Sequence, residues 1–361
     1  MKDHFENPKI ELADNLIKGK VSWRSPSNIA FVKYWGKYGI QLPKNASLSM
    51  TLSKAFTQTS IEFNSSKSTP IRKFVFEGKS NENFSKRIWK FIDSLDQEFP
   101  FLKKMDLQIE SENSFPHSAG IASSASSMSA LALCLVDMEK TITGISISDE
   151  EFYQKASRIA RLGSGSAARS LFGGFSIWGK MDIQNLNTTN DFAIGFNKDI
   201  HPHFQQLQDA ILIVDEGQKQ VSSSLGHSLM NGHPYAENRL LQANKNIEEL
   251  SQVLKTGDQE SFIRILESEA LSLHALMMSS DPWFILMKAE TLKIIEEIKS
   301  YRERTGKFIS FTLDAGPNVH LIYSKQDEID IKDFIEQKLK SYCSGKRIIF
   351  DEMGKGPEKL M

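Results

Sequence analysis

The segment Pro116-His117-Ser118-Ala119-Gly120-Ile121-Ala122-Ser123-Ser124-Ala125 constrains the fold more than any other stretch. It is rich in small residues with Gly120 at its centre, and it feeds directly into an apolar helical pattern. Met128, Leu131, Ala132, Leu135 and Met138 line one face of that helix. Small side chains let a ligand approach the backbone, and the first turn of a helix offers unpaired N–H groups. Such a junction suits an anion such as the phosphates of a nucleotide. A plain loop with N-capping serines accounts for the same residues. No Gly-Lys-Ser/Thr closes the run, so it is not a Walker A loop.

Around this junction the chain reads as α+β. Residues 56–63, 73–76 and 107–110 alternate as strands, and residues 84–95 carry Ile88, Phe91, Ile92 and Leu95 at helical spacing. Ser148-Asp149-Glu150-Glu151 is a capping box that opens a helix ending at Gly163. The 361 residues suit two domains. Residues 182–202 are polar and rich in Asn, so the boundary is placed near their end, giving segments 1–203 and 204–361. The second segment holds a short buried strand at 210–214 and helical patterns at 235–254, 259–273 and 283–298. Strands at 308–313 and 319–323 then bracket the turn Asp314-Ala315-Gly316-Pro317-Asn318.

Three further segments carry chemistry. Gly163-Ser164-Gly165-Ser166-Ala167-Ala168-Arg169-Ser170 reads as a helix start with Ser166 as cap and Arg169 in the first turn. Hydroxyls, free N–H groups and a guanidinium converge there, a natural seat for a carboxylate or phosphate. A helix start with a surface arginine fits as well. If residues 29–35 form a strand, Ile29, Phe31, Lys33 and Trp35 share a face. Lys33 must then snorkel to water, pair with a carboxylate or lose its proton; Lys37, beyond Gly36, fits a solvated charge equally well. Asp314 sits at a strand end beside Gly316, placed for proton transfer, although turn chemistry alone explains the same residues.

Composition narrows the partners. With 44 Lys+Arg against 45 Asp+Glu, the formal charge of −1 argues against nucleic-acid binding. The longest apolar run, residues 130–136, is far below the roughly 20 residues that span a bilayer, and the N-terminus lacks a signal-peptide core. Cys134 and Cys343 read as free thiols of a reducing, cytoplasmic compartment. His201, His203, His227, His233 and His274 show no ligand spacing, so no structural metal is expected.

Taken in order, the segments NIAFVKYWGK (28–37), NASLSMTL (45–52), FPHSAGIASSAS (115–126), SRIARLGSGSAARSLFGGF (157–175), VSSS (221–224) and FTLDAGPN (311–318) resemble the diphosphomevalonate decarboxylases of the GHMP kinase superfamily. The resemblance implies an α+β GHMP kinase fold: an N-terminal domain like the second domain of ribosomal protein S5, a C-terminal ferredoxin-like domain, and an active site in the cleft between them. It implies that Mg2+ and ATP serve to phosphorylate the 3-hydroxyl of a mevalonate 5-diphosphate, which then loses phosphate and CO2 to give isopentenyl diphosphate. Relatives are commonly homodimers.

By the same resemblance Asp314 matches the aspartate that accepts or orients the hydroxyl proton, and Arg169 the arginine on the substrate carboxylate. Asn28 matches a support of that arginine, and Lys33 a lysine near the reacting centre. Tyr34, Lys37, Ser164, Ser166 and Ser223 match groups around the substrate and its diphosphate. Pro116, Gly120, Ala122, Ser123 and Ser124 match the ATP phosphate loop. The sequence departs from the family at Ala46, His117, Ser126-Ser127 and Ser224, and the loop after Lys37 is short. Departures near Lys37 and Ser224 bear on the 5-phosphate end, which leaves a mevalonate 5-phosphate decarboxylase or a 3-kinase as related readings. A non-catalytic GHMP-fold binding protein is the reading from another class.

Overall fold

Two long strands, β1 (Lys18–Val32) and β2 (Ser47–Ser65), form the spine of the first sheet. They pair antiparallel from Lys18↔Asn64 to Val32↔Leu48. The computed structural model describes residues 17–115, 121, 123–183, 186–217 and 223–361, without the side chain of Ser223. Further strands are β3 (Arg72–Phe76), β4 (Met105–Asn113), β5 (Phe175–Trp178) and β6 (Ala193–Gly195). The length of β2 lets its free edge serve two neighbours: its first part pairs with β5 and its second with β4. β3 adds parallel to β4, and β6 antiparallel to β5.

One face of this sheet is covered by α1 (Glu82–Asp93), α2 (Ser123–Thr143) and α3 (Asp149–Gly163). Residues 129–139 of α2 are all buried, which explains a sequence apolar almost all round rather than on one stripe. The capping box is formed as read: Glu151 N–H donates to Ser148 Oγ at 3.2 Å, and Ser148 N–H to Glu151 Oε2 at 2.9 Å. The polar stretch 182–202 is tied to the first sheet through β6.

The second sheet is fully antiparallel. Its strands are β7 (Leu207–Leu212), β8 (Ile309–Leu313), β9 (Val319–Ser324) and β10 (Ile348–Glu352), in the order β8-β9-β7-β10. The short α4 (Ser223–Ser228) precedes α5 (Ala236–Thr256), α6 (Gln259–Met278), α7 (Ala289–Thr305) and α8 (Glu328–Phe334). The helix expected over 283–298 begins only at Ala289. Before it, Phe284 N–H donates to Met277 O at 2.9 Å, and Trp283 and Ile285 are exposed at 66% and 57%. Their apolar spacing is therefore not that of a buried helix face.

The two sheets share a core. Ile29, Phe31, Leu48 and Met50 pack in one cluster with Phe204, Phe262, Phe308 and Ile322. Phe204 stacks on Phe262 with centroids 4.8 Å apart. Polar stitches reinforce this seam, since Asp351 accepts the N–H groups of Ser53, Lys54 and Ala55 at 2.8–2.9 Å. The chain then returns to the first sheet as β11 (Glu358–Lys359), which pairs with Trp23 and Arg24 of β1.

Candidate active site

The end of β1 and the turn after α3 bring the first group of site residues together. α3 runs to Gly163, and a 3-10 turn spans Gly165–Leu171. Ser164, not Ser166, therefore occupies the capping position, without a side-chain cap bond, and Arg169 lies in the last turn rather than the first. The reason is that Ala167 N–H already donates to Ser164 O at 2.9 Å, so the new turn starts at once. Gly165 is required here: a Cβ would stand 2.7 Å from the Tyr34 hydroxyl.

Arg169 is only 3% exposed. Its Nε donates to Asn28 Oδ1 at 3.3 Å, one terminal nitrogen donates to Ser47 Oγ, and the guanidinium lies 5.4 Å from the Tyr34 ring centre. Asn28 is itself fixed, donating from Nδ2 to Ser170 Oγ at 2.8 Å and to Ser166 O at 3.1 Å. Among the described residues no carboxylate forms an ion pair with Arg169. A buried cation without a counter-anion is costly unless an anionic ligand supplies one. Burial accordingly draws the Arg169 pKa down, with Tyr34 and Asp314 acting in the opposite direction.

Lys33 was expected on a strand, but β1 ends at Val32. The backbone of Lys33 leaves the sheet because side chains take its hydrogen bonds. Its N–H donates to Glu269 Oε2 at 2.9 Å, while its carbonyl accepts from Arg239 at 2.9 Å and from Asn45 at 3.0 Å. Ile29 and Phe31 pack in the seam, whereas Trp35 belongs to a separate cluster with Met230 and Leu273. The ammonium of Lys33, itself 3% exposed, meets Asp314 Oδ1 at 3.3 Å. Burial lowers the Lys33 pKa from the usual range, and Asp314 and Glu269 oppose that shift. Asp314 follows β8 in a turn that His274 steadies: Nε2–H donates to Asp314 O at 3.1 Å. Burial takes the His274 pKa down to about 4, which keeps the ring neutral.

The hydroxyl chain from Ser124 to Ser166 links the anion-binding junction to this site. Ser164 Oγ donates to Ser124 Oγ at 3.3 Å and lies 3.3 Å from Ser166 Oγ. On the other side, Tyr34 packs edge-on against Trp178 at 4.9 Å, and burial raises its pKa to about 12. Lys37 lines an open cleft of about 440 Å3 with Gln41, Ser224, His227, Ser228 and Asn231. Partial burial brings its pKa down to about 8. Ser123 and Ser124 form the first turn of α2 and border an apolar recess walled by Phe74, Phe84 and Ile88.

Comparison with known proteins gives the family. Residues 25–188 match the family model described as diphosphomevalonate decarboxylase-like N-terminal domain, and residues 210–360 the mevalonate 5-diphosphate decarboxylase C-terminal domain. A diphosphomevalonate decarboxylase of Ganoderma lucidum is 31% identical over 88% of this chain and 81% of its own length. The chain belongs to the diphosphomevalonate decarboxylase family. That of Debaryomyces hansenii is 29% identical over 92% of this chain and 93% of that protein. The solved mevalonate diphosphate decarboxylase from Enterococcus faecalis superposes with a TM-score of 0.78 at 28% identity, covering 96% of this chain and 99% of that one. A structure of MDDEF in complex with MVAPP, AMPPCP and magnesium gives the same TM-score at 29% identity, with coverage of 96% and 99%. The fold is thus the mixed α+β GHMP kinase fold of these decarboxylases.

Within this decarboxylase fold, Asp314, Lys33, Arg169, Asn28, Tyr34, Ser164 and Ser166 come together at one end of β1, with Lys37 just beyond. Pro116, Gly120 and Ala122 lie outside the described residues, as does the side chain of Ser223. The sequence reading missed Ser47, Asn45, Arg239, Glu269, His274 and His227. Ser47 and Asn45 stood in a motif already quoted, but nothing in their spacing shows that they face Arg169 and Lys33.

Proposed function

We propose that the chain carries out the reaction for which its family is named. The tertiary 3-hydroxyl of mevalonate 5-diphosphate is phosphorylated by ATP, and the 3-phosphate then leaves together with CO2 to give isopentenyl diphosphate. The observation that carries this reading is Arg169: a buried guanidinium, braced by Asn28 and Ser47, with no carboxylate of its own among the described residues. A substrate carboxylate supplies the missing charge, and a planar fork is suited to bind it in bidentate fashion.

The remaining groups divide the work. The Asp314 carboxylate takes the proton of the 3-hydroxyl as its oxygen forms a bond to the terminal phosphorus of ATP and the bond to ADP breaks. General-base assistance contributes about 10²–10⁴-fold; alignment and charge stabilisation supply the rest. Lys33, 3.3 Å from Asp314, places positive charge beside the transferring group. In the second step the C3–O bond breaks and its electron pair leaves with phosphate. The C1–C2 pair becomes the new double bond, and Arg169 releases its ligand as CO2.

Ser123 and Ser124, at the start of α2, offer hydroxyls and helix N–H groups to the nucleotide phosphates. Among the described residues no three His, Cys, Asp or Glu side chains group into a metal cage. Magnesium takes one or two protein oxygens and holds the rest of its shell as phosphate and water. The Ser124 hydroxyl, in the first turn of α2, would be a donor to such an ion, which when bound would neutralise phosphate charge. Among the described residues no helix is long and apolar enough to cross a membrane. The two thiols, Cys134 and Cys343, are buried and unpaired, as suits the cytoplasm.

The test is product analysis. Purified protein with magnesium, ATP and mevalonate 5-diphosphate should release ADP, phosphate and CO2 in equal amounts. ADP without CO2 would overturn decarboxylation and leave a 3-kinase. Faster turnover of mevalonate 5-phosphate would move the substrate to the monophosphate.

A further inference from the structure

We propose that His227 reads the phosphate end of the substrate, its Nε2–H donating to a non-bridging oxygen of the 5-phosphate chain beside Lys37. This rests on the reading of the site given above. The argument begins with the placement of the ring. α4 approaches Trp35 closely because residue 226 is glycine; a Cβ there would stand 2.7 Å from the indole. The imidazole is consequently gripped between two aromatic rings, Tyr34 at 4.6 Å and Trp35 at 4.5 Å.

The tautomer follows from the hydrogen bond that Nδ1 accepts. Gly36 N–H donates to His227 Nδ1 at 3.0 Å, so Nδ1 carries the lone pair and the neutral ring bears its proton on Nε2. Burial, with the cations Lys37 and Arg169 nearby, pushes the His227 pKa well below the usual value. The ring therefore presents one fixed donor. Among the described residues Nε2 has no hydrogen-bond partner, although the residue is 6% exposed. The atom is not sealed in the interior but opens on the cleft, where it can donate to a ligand that brings an acceptor.

The surroundings specify that acceptor. His227 lines the cleft with Lys37, Gln41, Ser228 and Asn231, and among the described residues no carboxylate lines it. A cation, amides and hydroxyls select an oxyanion. The position suits the far end of the substrate: Tyr34 has the Arg169 guanidinium 5.4 Å and the His227 ring 4.6 Å from its ring centre. A 3-methylpentanoic acid derivative whose carboxylate meets Arg169 extends its 5-phosphate chain past Tyr34 toward Lys37 and His227.

Two variants test the assignment. His227→Asn keeps an acceptor for Gly36 N–H but has no group at the Nε2 position. His227→Gln places an amide donor there. The Asn variant should raise KM for mevalonate 5-diphosphate about tenfold or more, while KM for ATP and the saturating kcat stay within about twofold. The Gln variant should restore KM to within about threefold of the original. An unchanged KM in the Asn variant overturns the proposal. So does a parallel loss of kcat, ATP affinity and melting temperature in both variants, which marks a purely structural histidine. The unsubstituted chain separates the two levels of argument. If it releases no CO2 from mevalonate 5-diphosphate, the reading of the whole site falls; if it does and His227→Asn retains its KM, only this assignment falls.

Discussion

Glu269 Oε2 accepts the backbone N–H of Lys33 at 2.9 Å, joining a helix of the second half to the lysine that faces Asp314. The same carboxylate is paired in bidentate fashion with Arg239, whose guanidinium also donates to the Lys33 carbonyl at 2.9 Å. Asn246 completes the set, donating to Glu269 Oε1 at 2.6 Å. Removing one member of such a buried pair strands the other charge and costs about 3–5 kcal/mol. Glu269→Ala should lower the urea midpoint by a corresponding amount and reduce kcat, because Lys33 loses its anchor. A variant with full stability and full turnover would refute this role.

Asp314→Asn tests the proton acceptor. The amide keeps the shape of the turn, and His274 can still donate to the backbone carbonyl. Turnover measured by CO2 release should fall by about 10²–10⁴-fold. Nucleotide affinity, measured by titration with a non-hydrolysable ATP analogue, should stay within about twofold.

Lys37 sets a pH limit. Its pKa is brought down to about 8 by burial, so the cleft carries the positive charge below that pH and loses it above. With mevalonate 5-diphosphate, log(kcat/KM) should fall with a slope of about −1 above pH 8. Lys37→Arg keeps the charge throughout and should flatten that limb; a limb that persists in the variant assigns it to another group.

Arg169→Lys probes the carboxylate seat. A lysine retains charge but cannot make the planar two-point contact or hold Asn28 and Ser47 together. Loss of one or two charge-assisted hydrogen bonds predicts a fall in kcat/KM of about 10- to 100-fold. Asn28→Ala, which frees Arg169 Nε, should move kcat/KM in the same direction by a smaller factor. Steady-state kinetics at varied substrate measure both.

The sequence carried the local half of this architecture. The capping box of Ser148 and Glu151 formed as its letters require, because both partners lie within one turn. The buried stripe of α1 and the strands around Asp314 were legible for the same reason. Lys33 was not. Its departure from β1 depends on Glu269 and Arg239, more than 200 residues away in the chain, and periodicity holds no trace of such partners. Ser166 was misplaced by a subtler effect: α3 and the following 3-10 turn abut, leaving no separate cap for the second. His227 has no ligand spacing at all, and only the stacking of Tyr34 and Trp35 around it marks it out.

The stitches that Asp351 makes to Ser53, Lys54 and Ala55, with β11 pairing beyond them, bear on how ligands reach the site. Halves fused along one flank cannot swing apart as two rigid jaws without tearing backbone bonds and a shared aromatic core. Entry and exit must instead proceed by rearrangement of the surface segments that rim the opening, and severing the chain between the halves should yield two fragments that refold only in each other's company.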